Sequence, residues 1–140
     1  MDIRPYTSAD YEGLISLYKN HHAYGGHFSP SRDTDDRLSA TSKQGDLYVA
    51  HHNGKVTGSF MILENPHTFW LIRFVVDPML PSGQELATAL FEKAHGLARE
   101  RGHESVMVYT DSNDQSLNQR YTNLGCHQAD DYRCYWKEVA

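Results

Sequence analysis

The sequence predicts an α/β (α+β) fold in a single domain, residues 1–140, with a mixed sheet of about six to seven strands flanked by about four helices. Three observations carry this. Phe69 to Gly102 reads as a buried strand, a tight loop and a long amphipathic helix. The runs LYVAHH and VTGSFMIL are separated by Asn53-Gly54, the strongest short hairpin signal, so the middle of the sheet is antiparallel. After Gly102 a strand and a second helix continue a βαβ rhythm, which makes the sheet mixed.

In chain order, Asp2 to Pro5 reads as a short first strand. Thr7 and Asp10 have capping-box spacing, and Leu14, Ile15 and Tyr18 share one face of a helix over Ala9 to Lys19. Asn20 to Ser31 is a loop with paired glycines and three histidines. Asp33 to Lys43 is a weakly amphipathic helix using Leu38. Asp46 to His52 and Lys55 to Leu63 are the hairpin strands, in which Gly58 marks a bulge or a close backbone approach.

A turn around Pro66 precedes the strand Phe69 to Val76, an apolar run broken only by Arg73. Asp77 and Pro78 end it. The helix after Gly83 places Leu86, Leu90, Ala94 and Leu97 on one side and stops at Gly102. Ser105 to Thr110 is a strand, Ser116 to Leu124 a short helix, Cys126 to Gln128 a brief extended piece and Tyr132 to Glu138 an alternating final strand.

Composition narrows the function classes. A net charge of -5 disfavours binding to a nucleic-acid backbone and suits a basic partner such as an amine. No apolar run is long enough for a bilayer, and the N-terminus lacks the plan of a signal peptide, so the expected location is cytoplasmic with no membrane partner. Cys126 and Cys134 form neither a disulfide framework nor a metal-ligand spacing, and no metal is expected. A strand delivering a glycine-containing loop onto a helix N-terminus offers backbone N–H groups to an anion.

The element order, together with VVDP (Val75 to Pro78), GQELATALFEKA (Gly83 to Ala94) and YTNLGC (Tyr121 to Cys126), resembles the GNAT superfamily of N-acetyltransferases over essentially the whole chain. The resemblance implies transfer of an acetyl group from acetyl-CoA, the co-substrate, to a primary amine of a small molecule or protein by direct attack. It implies that the backbone of Phe74, Val75 and Val76 pairs with the pantetheine arm. Ser82, Gly83, Gln84, Glu85, Leu86, Ala87 and Thr88 correspond to the pyrophosphate loop and first helical turn. Asn113 and Asn118 fall where the family uses amides on the cofactor. Tyr121 corresponds to the tyrosine that protonates the departing thiolate. The final strands can pair between subunits in a homodimer.

The loop departs from the family pattern: Ser82 stands for a basic or amide residue and Glu85 for a glycine. This leaves a second reading, a catalytically impaired GNAT-fold binding or regulatory module, and a third, a plain α/β nucleotide-binding domain with a mostly parallel sheet. Glu64 is a candidate general base. His21, His22, His27 and His67 are others, because histidine titrates near neutrality.

Overall fold

A computed structural model of the chain describes residues 2–20 and 28–139. Five strands form one sheet in the order β1 to β5: β1 (Asp2–Pro5), β2 (Leu47–His52), β3 (Lys55–Asn65), β4 (Thr68–Val76) and β5 (Met107–Val108). The first three pairings are antiparallel and β4 to β5 is parallel. A mostly parallel nucleotide-binding sheet is thereby excluded. The helices are α1 (Tyr11–Asn20), α2 (Asp35–Lys43), α3 (Gly83–Glu100) and α4 (Gln115–Asn123). The capping box lies at Thr7 and Asp10, as the sequence suggests, while the regular α-helix begins at Tyr11 rather than Ala9. Thr7 and Asp10 enclose a 3₁₀ turn, Ser8–Asp10, that feeds α1. Thr34 caps α2 by accepting from the Arg37 N–H, and the helix begins at Asp35 rather than Asp33. Asn53 and Gly54 both have positive φ, 52° and 76°, as a type I′ turn requires.

The sheet separates two apolar layers. On one face α3 sets Leu86, Leu90 and Ala94 against Phe60, Ile62, Phe69 and Leu71. On the other, Leu14 and Tyr18 of α1 and Leu38 of α2 pack with Leu47, Val49 and Val75. Leu86 and Leu90 are fully buried, and each contributes about 1.5–3 kcal/mol of transfer free energy. Gly58 sits where α3 approaches closest: a Cβ there would lie 2.8 Å from the Leu90 Cδ1. The close approach expected at this glycine is therefore real.

Two features of β4 shape everything near the site. Met61 pairs with Ile72 but Ser59 with Val75, so β4 carries one extra residue at this point. Arg73 absorbs the bulge with a φ of 51° and a buried side chain. Second, β5 pairs with β4 only at Trp70 and Leu71. Beyond these two residues the strands part, and residues 72–76 of β4 keep one open edge.

The sheet has five strands rather than six to seven. Residues 105, 106, 109 and 110 flank β5 without joining it, and Tyr132 to Glu138 lies outside the sheet. Alternation decides which face of a strand is apolar, but it does not supply a neighbour to pair with. Tyr132, Tyr135 and Trp136 are 76%, 87% and 79% exposed. Among the described residues no helix is long and apolar enough to cross a membrane.

Candidate active site

The parting of β4 and β5 opens a cleft of about 1440 Å³. One wall is the open stretch of β4, including Phe74, Val75 and Val76. The other is Tyr109 to Asp111 with Leu117, Arg120 and Tyr121 of α4. Pro78, Asn20, Arg32 and the C-terminal residues Cys134, Tyr135 and Trp136 also line it. The arrangement follows from the sequence locally. Apolar β-branched residues keep β4 extended, the bulge interrupts its ladder, and Asp77-Pro78 turns the chain out of the sheet. A backbone edge inside a cleft can pair with an extended, amide-bearing ligand as a neighbouring strand would.

The loop from Asp77 to Gly83 is held from within. The Leu80 N–H donates to the Asp77 carbonyl, the Gly83 N–H to the Leu80 carbonyl, and the Met79 N–H to the Asp77 carboxylate at 2.9 Å. The Leu86 N–H already donates to the Ser82 carbonyl at 3.0 Å. Helix geometry therefore leaves the amides of Gln84 and Glu85 at the start of α3 directed outward. Leu86 and Ala87 have fully buried side chains, so only their backbone faces the loop side. Glu85 is exposed in the first turn of α3. Gln84 and Thr88 engage each other: the Thr88 hydroxyl donates to the Gln84 carbonyl at 2.9 Å.

Tyr121 stands in the cleft wall opposite β4, with its ring 6.2 Å from that of Phe74 in an edge-on contact. Burial pushes its phenol up to about 12, so the hydroxyl is fully protonated at neutral pH and available as a donor. Asp114 caps α4 by accepting from the Leu117 N–H, which fixes the helix that carries Tyr121.

Residues 11–126 match the model of the acetyltransferase (GNAT) family. The chain belongs to that family. Solved structures with this GNAT fold include glucosamine-6-phosphate N-acetyltransferase from Arabidopsis thaliana, at 18% identity with a TM-score of 0.72 over 98% of each chain. An aminoglycoside antibiotic 6'-N-acetyltransferase from Acinetobacter haemolyticus aligns over 100% of both chains at 14% identity, TM-score 0.72. A Mycobacterium tuberculosis protein solved in complex with CoA aligns over 89% of this chain and 70% of its own, at 17% identity and a TM-score of 0.68. Among curated proteins no sequence matches the chain.

Against the GNAT frame the expected site residues divide. Phe74, Val75, Val76 and Tyr121 meet in one cleft. Ser82 to Thr88 follow Pro78 in the chain. Asn113 and Asn118 border the Asp111 to Asp114 turn, where the Asn118 amide donates to the carbonyls of Asp111 and Asp114 at 2.9 and 2.7 Å. That amide is therefore engaged in holding the turn. The histidines at 21, 22 and 27 lie outside the described residues. His67 is exposed in the β3–β4 turn, where its N–H donates to the Asn65 side chain.

Glu64 does not reach the cleft. It lies at the end of β3 and pairs with Arg101 and, at 2.6 Å, with His103. Arg101 also reaches Asp46 at 3.0 Å and the Gly45 carbonyl at 2.8 Å. The group anchors the C-terminal end of α3 to the β1–β3 side of the molecule. This placement replaces the expected base role of Glu64 with a structural one.

The hydrogen bonds from His103 and Arg101 hold the Glu64 carboxyl below the usual carboxylate range against its desolvation. Its stabilising contribution is therefore complete above the unfolded value of about 4.3 and is lost as pH falls below it. Glu64→Gln is expected to have a lower melting temperature at pH 7 and a smaller loss on moving to pH 3 than the parent chain. Parallel melts at both pH values check this. Identical pH sensitivity in the two proteins would contradict it.

Sequence reasoning passed over Arg73. The signal was present, since a lone cation inside a buried apolar run needs a buried partner.

Proposed function

We propose that the chain transfers an acetyl group from acetyl-CoA to a primary amine of a small molecule or protein. The single observation that carries this reading is the opened edge of β4 facing the protonated phenol of Tyr121 across one cleft. In the reaction a C–N bond forms at the thioester carbon and the C–S bond breaks. The attacking nitrogen gives its proton to solvent water, and the departing thiolate, held by the Tyr121 hydrogen bond, takes its proton from solvent water.

The residues divide this work. The backbone of Phe74 to Val76 would hold the pantetheine arm, as an added strand is held. The outward amides of Gln84 and Glu85 would meet the diphosphate at the positive end of the α3 dipole. Holding both reactants in one cleft supplies proximity, which is worth several kcal/mol when alignment is good. The Tyr121 hydroxyl would donate a hydrogen bond to sulfur as charge develops there. Its raised pKa keeps the phenol protonated at neutral pH, so the hydroxyl is present as a donor when charge develops on sulfur. The buried apolar setting around Phe74 strengthens that bond.

Incubation with acetyl-CoA and a panel of amines, read as free thiol, tests the proposal. Absence of thiol release, together with no heat of CoA binding, would overturn it. The competing reading, a GNAT-fold binding module, has Ser82 in favour of it, because the side chain there carries no positive charge. It predicts no thiol release with any amine even where CoA binds.

Gly83 gives a sharper probe of the diphosphate site. A Cβ there would lie 3.8 Å from the Val76 Cγ1, ordinary contact, so the fold itself tolerates alanine. Gly83→Ala is expected to leave the melting temperature equal or slightly raised, since alanine favours helix. It is expected to weaken CoA binding about three- to tenfold, because the added methyl limits how closely a phosphate approaches the first turn. Unchanged CoA affinity by calorimetry would move the diphosphate away from this turn.

A further inference from the structure

Arg73, itself among the residues that line the cleft, forms a buried ion pair with Asp33. The side chains are 4% and 2% exposed. The guanidinium grips the carboxylate with two bonds, Nη1 to Oδ1 at 2.5 Å and Nη2 to Oδ2 at 3.1 Å. This planar fork is a geometry that lysine cannot reproduce. The Arg73 guanidinium also lies 4.7 Å over the ring of Tyr18. Both ends of the pair sit at special places. Arg73 is the positive-φ residue at the bulge of β4, within the open stretch 72–76 and next to Phe74. Asp33 lies at the end of residues 28–33, the segment that leads into α2.

That segment is built around Asp33. The Ser29 N–H donates to the Asp33 Oδ2 at 2.8 Å, and the Arg32 and Asp33 N–H groups close back on the Ser29 carbonyl. The Tyr11 hydroxyl donates to the Asp33 carbonyl at 2.9 Å. Residues 29–33 are thus a closed turn hung on one carboxylate, and that carboxylate is fastened to β4. Arg32, the next residue back, lines the cleft together with Asn20 and Arg73 itself. With the diphosphate proposed at the start of α3, this side of the cleft is left for the acceptor.

We propose that Arg73 and Asp33 are positioning residues, a buried latch that fixes the acceptor-side wall of the cleft to the strand that holds the acyl donor. This rests on the acetyl-transfer reading above. The physical basis is that a non-glycine residue held at positive φ persists only where its surroundings over-determine it. Here a forked ion pair and an aromatic face do so. One side chain then sets both the bulge and the distance from the wall to β4.

The test uses the full chain and two kinds of variant. Asp33→Asn breaks the pair but leaves a buried guanidinium without its counter-charge, and it is expected to lose stability. The double variant Arg73→Met with Asp33→Asn removes both charges, keeps an acceptor for the Ser29 N–H, and is expected to fold. In the folded double variant, KM for the amine that the parent acetylates should rise at least tenfold. The Kd for CoA should stay within threefold. Trypsin should cut after the exposed Arg32 at least tenfold faster, because cleavage needs the turn to leave the sheet.

Unchanged amine KM with unchanged cleavage would overturn the latch. A rise in CoA Kd as large as the rise in amine KM would also overturn it, since the effect would then lie in the bulge and not in the wall. If the parent chain acetylates no amine, the transfer reading has failed by itself. The latch is then judged by trypsin alone, where faster cleavage at Arg32 supports it and equal cleavage rejects it.

Discussion

Tyr121→Phe is expected to lower kcat by about 10²–10⁴-fold while CoA affinity changes by less than about twofold. The substitution removes one oxygen and keeps the ring, so the edge-on contact with Phe74 at 6.2 Å survives. The phenol stands half-buried in the cleft wall and stays protonated at neutral pH, so what it offers the reaction is a hydrogen bond to sulfur. A ground-state thioester carries little charge on sulfur and gains little from that bond. A departing thiolate gains much more. The loss therefore falls on turnover and not on binding. Paired steady-state kinetics and calorimetry check it. A variant with parental kcat would remove Tyr121 from the chemistry and leave it as a packing residue of α4.

Gly58→Val is expected to lower stability by about 1–3 kcal/mol, a drop in melting temperature of about 3–10 °C. The space beside Gly58 is already filled. Its absent Cβ would meet the Leu90 Cδ1 at 2.8 Å, and the Leu86 Cδ2 and the Val75 carbonyl oxygen at 3.2 Å each. The two leucine methyls can turn away in part. The carbonyl belongs to the β4 backbone and cannot. Relief must come from sliding α3 outward or from pushing β4 at the residue that lines the cleft. A weaker CoA affinity should therefore accompany the lower melt. A variant that melts with the parent would show that α3 does not rest on this glycine.

Glu64 and Arg73 show how far a side chain's type speaks for its role. A carboxylate near a strand end reads as a base, and a cation within an apolar run reads as an interruption. Both are ion-paired parts of the framework, one at the far end of α3 and one beneath the cleft. Their partners, Arg101 and Asp33, lie 37 and 40 residues away in sequence, beyond any local pattern.

The sequence by itself determined the local elements and their order. Asn53-Gly54 fixes the hairpin, the spacing of Leu86, Leu90 and Ala94 fixes the buried face of α3, and Asp77-Pro78 with Gly83 fixes the turn between strand and helix. These depend on torsion preferences and apolar spacing within a few residues, which the chain carries everywhere with it. The GNAT resemblance was legible for the same reason, because its motifs are local. Only the tertiary structure decided where strands part. The bulge at Arg73, the two-residue pairing of β5 and the exclusion of Tyr132 to Glu138 from the sheet depend on which segment lies beside which. A strand's pattern gives its faces and not its neighbours, and the cleft exists because β4 lost a neighbour at residue 72.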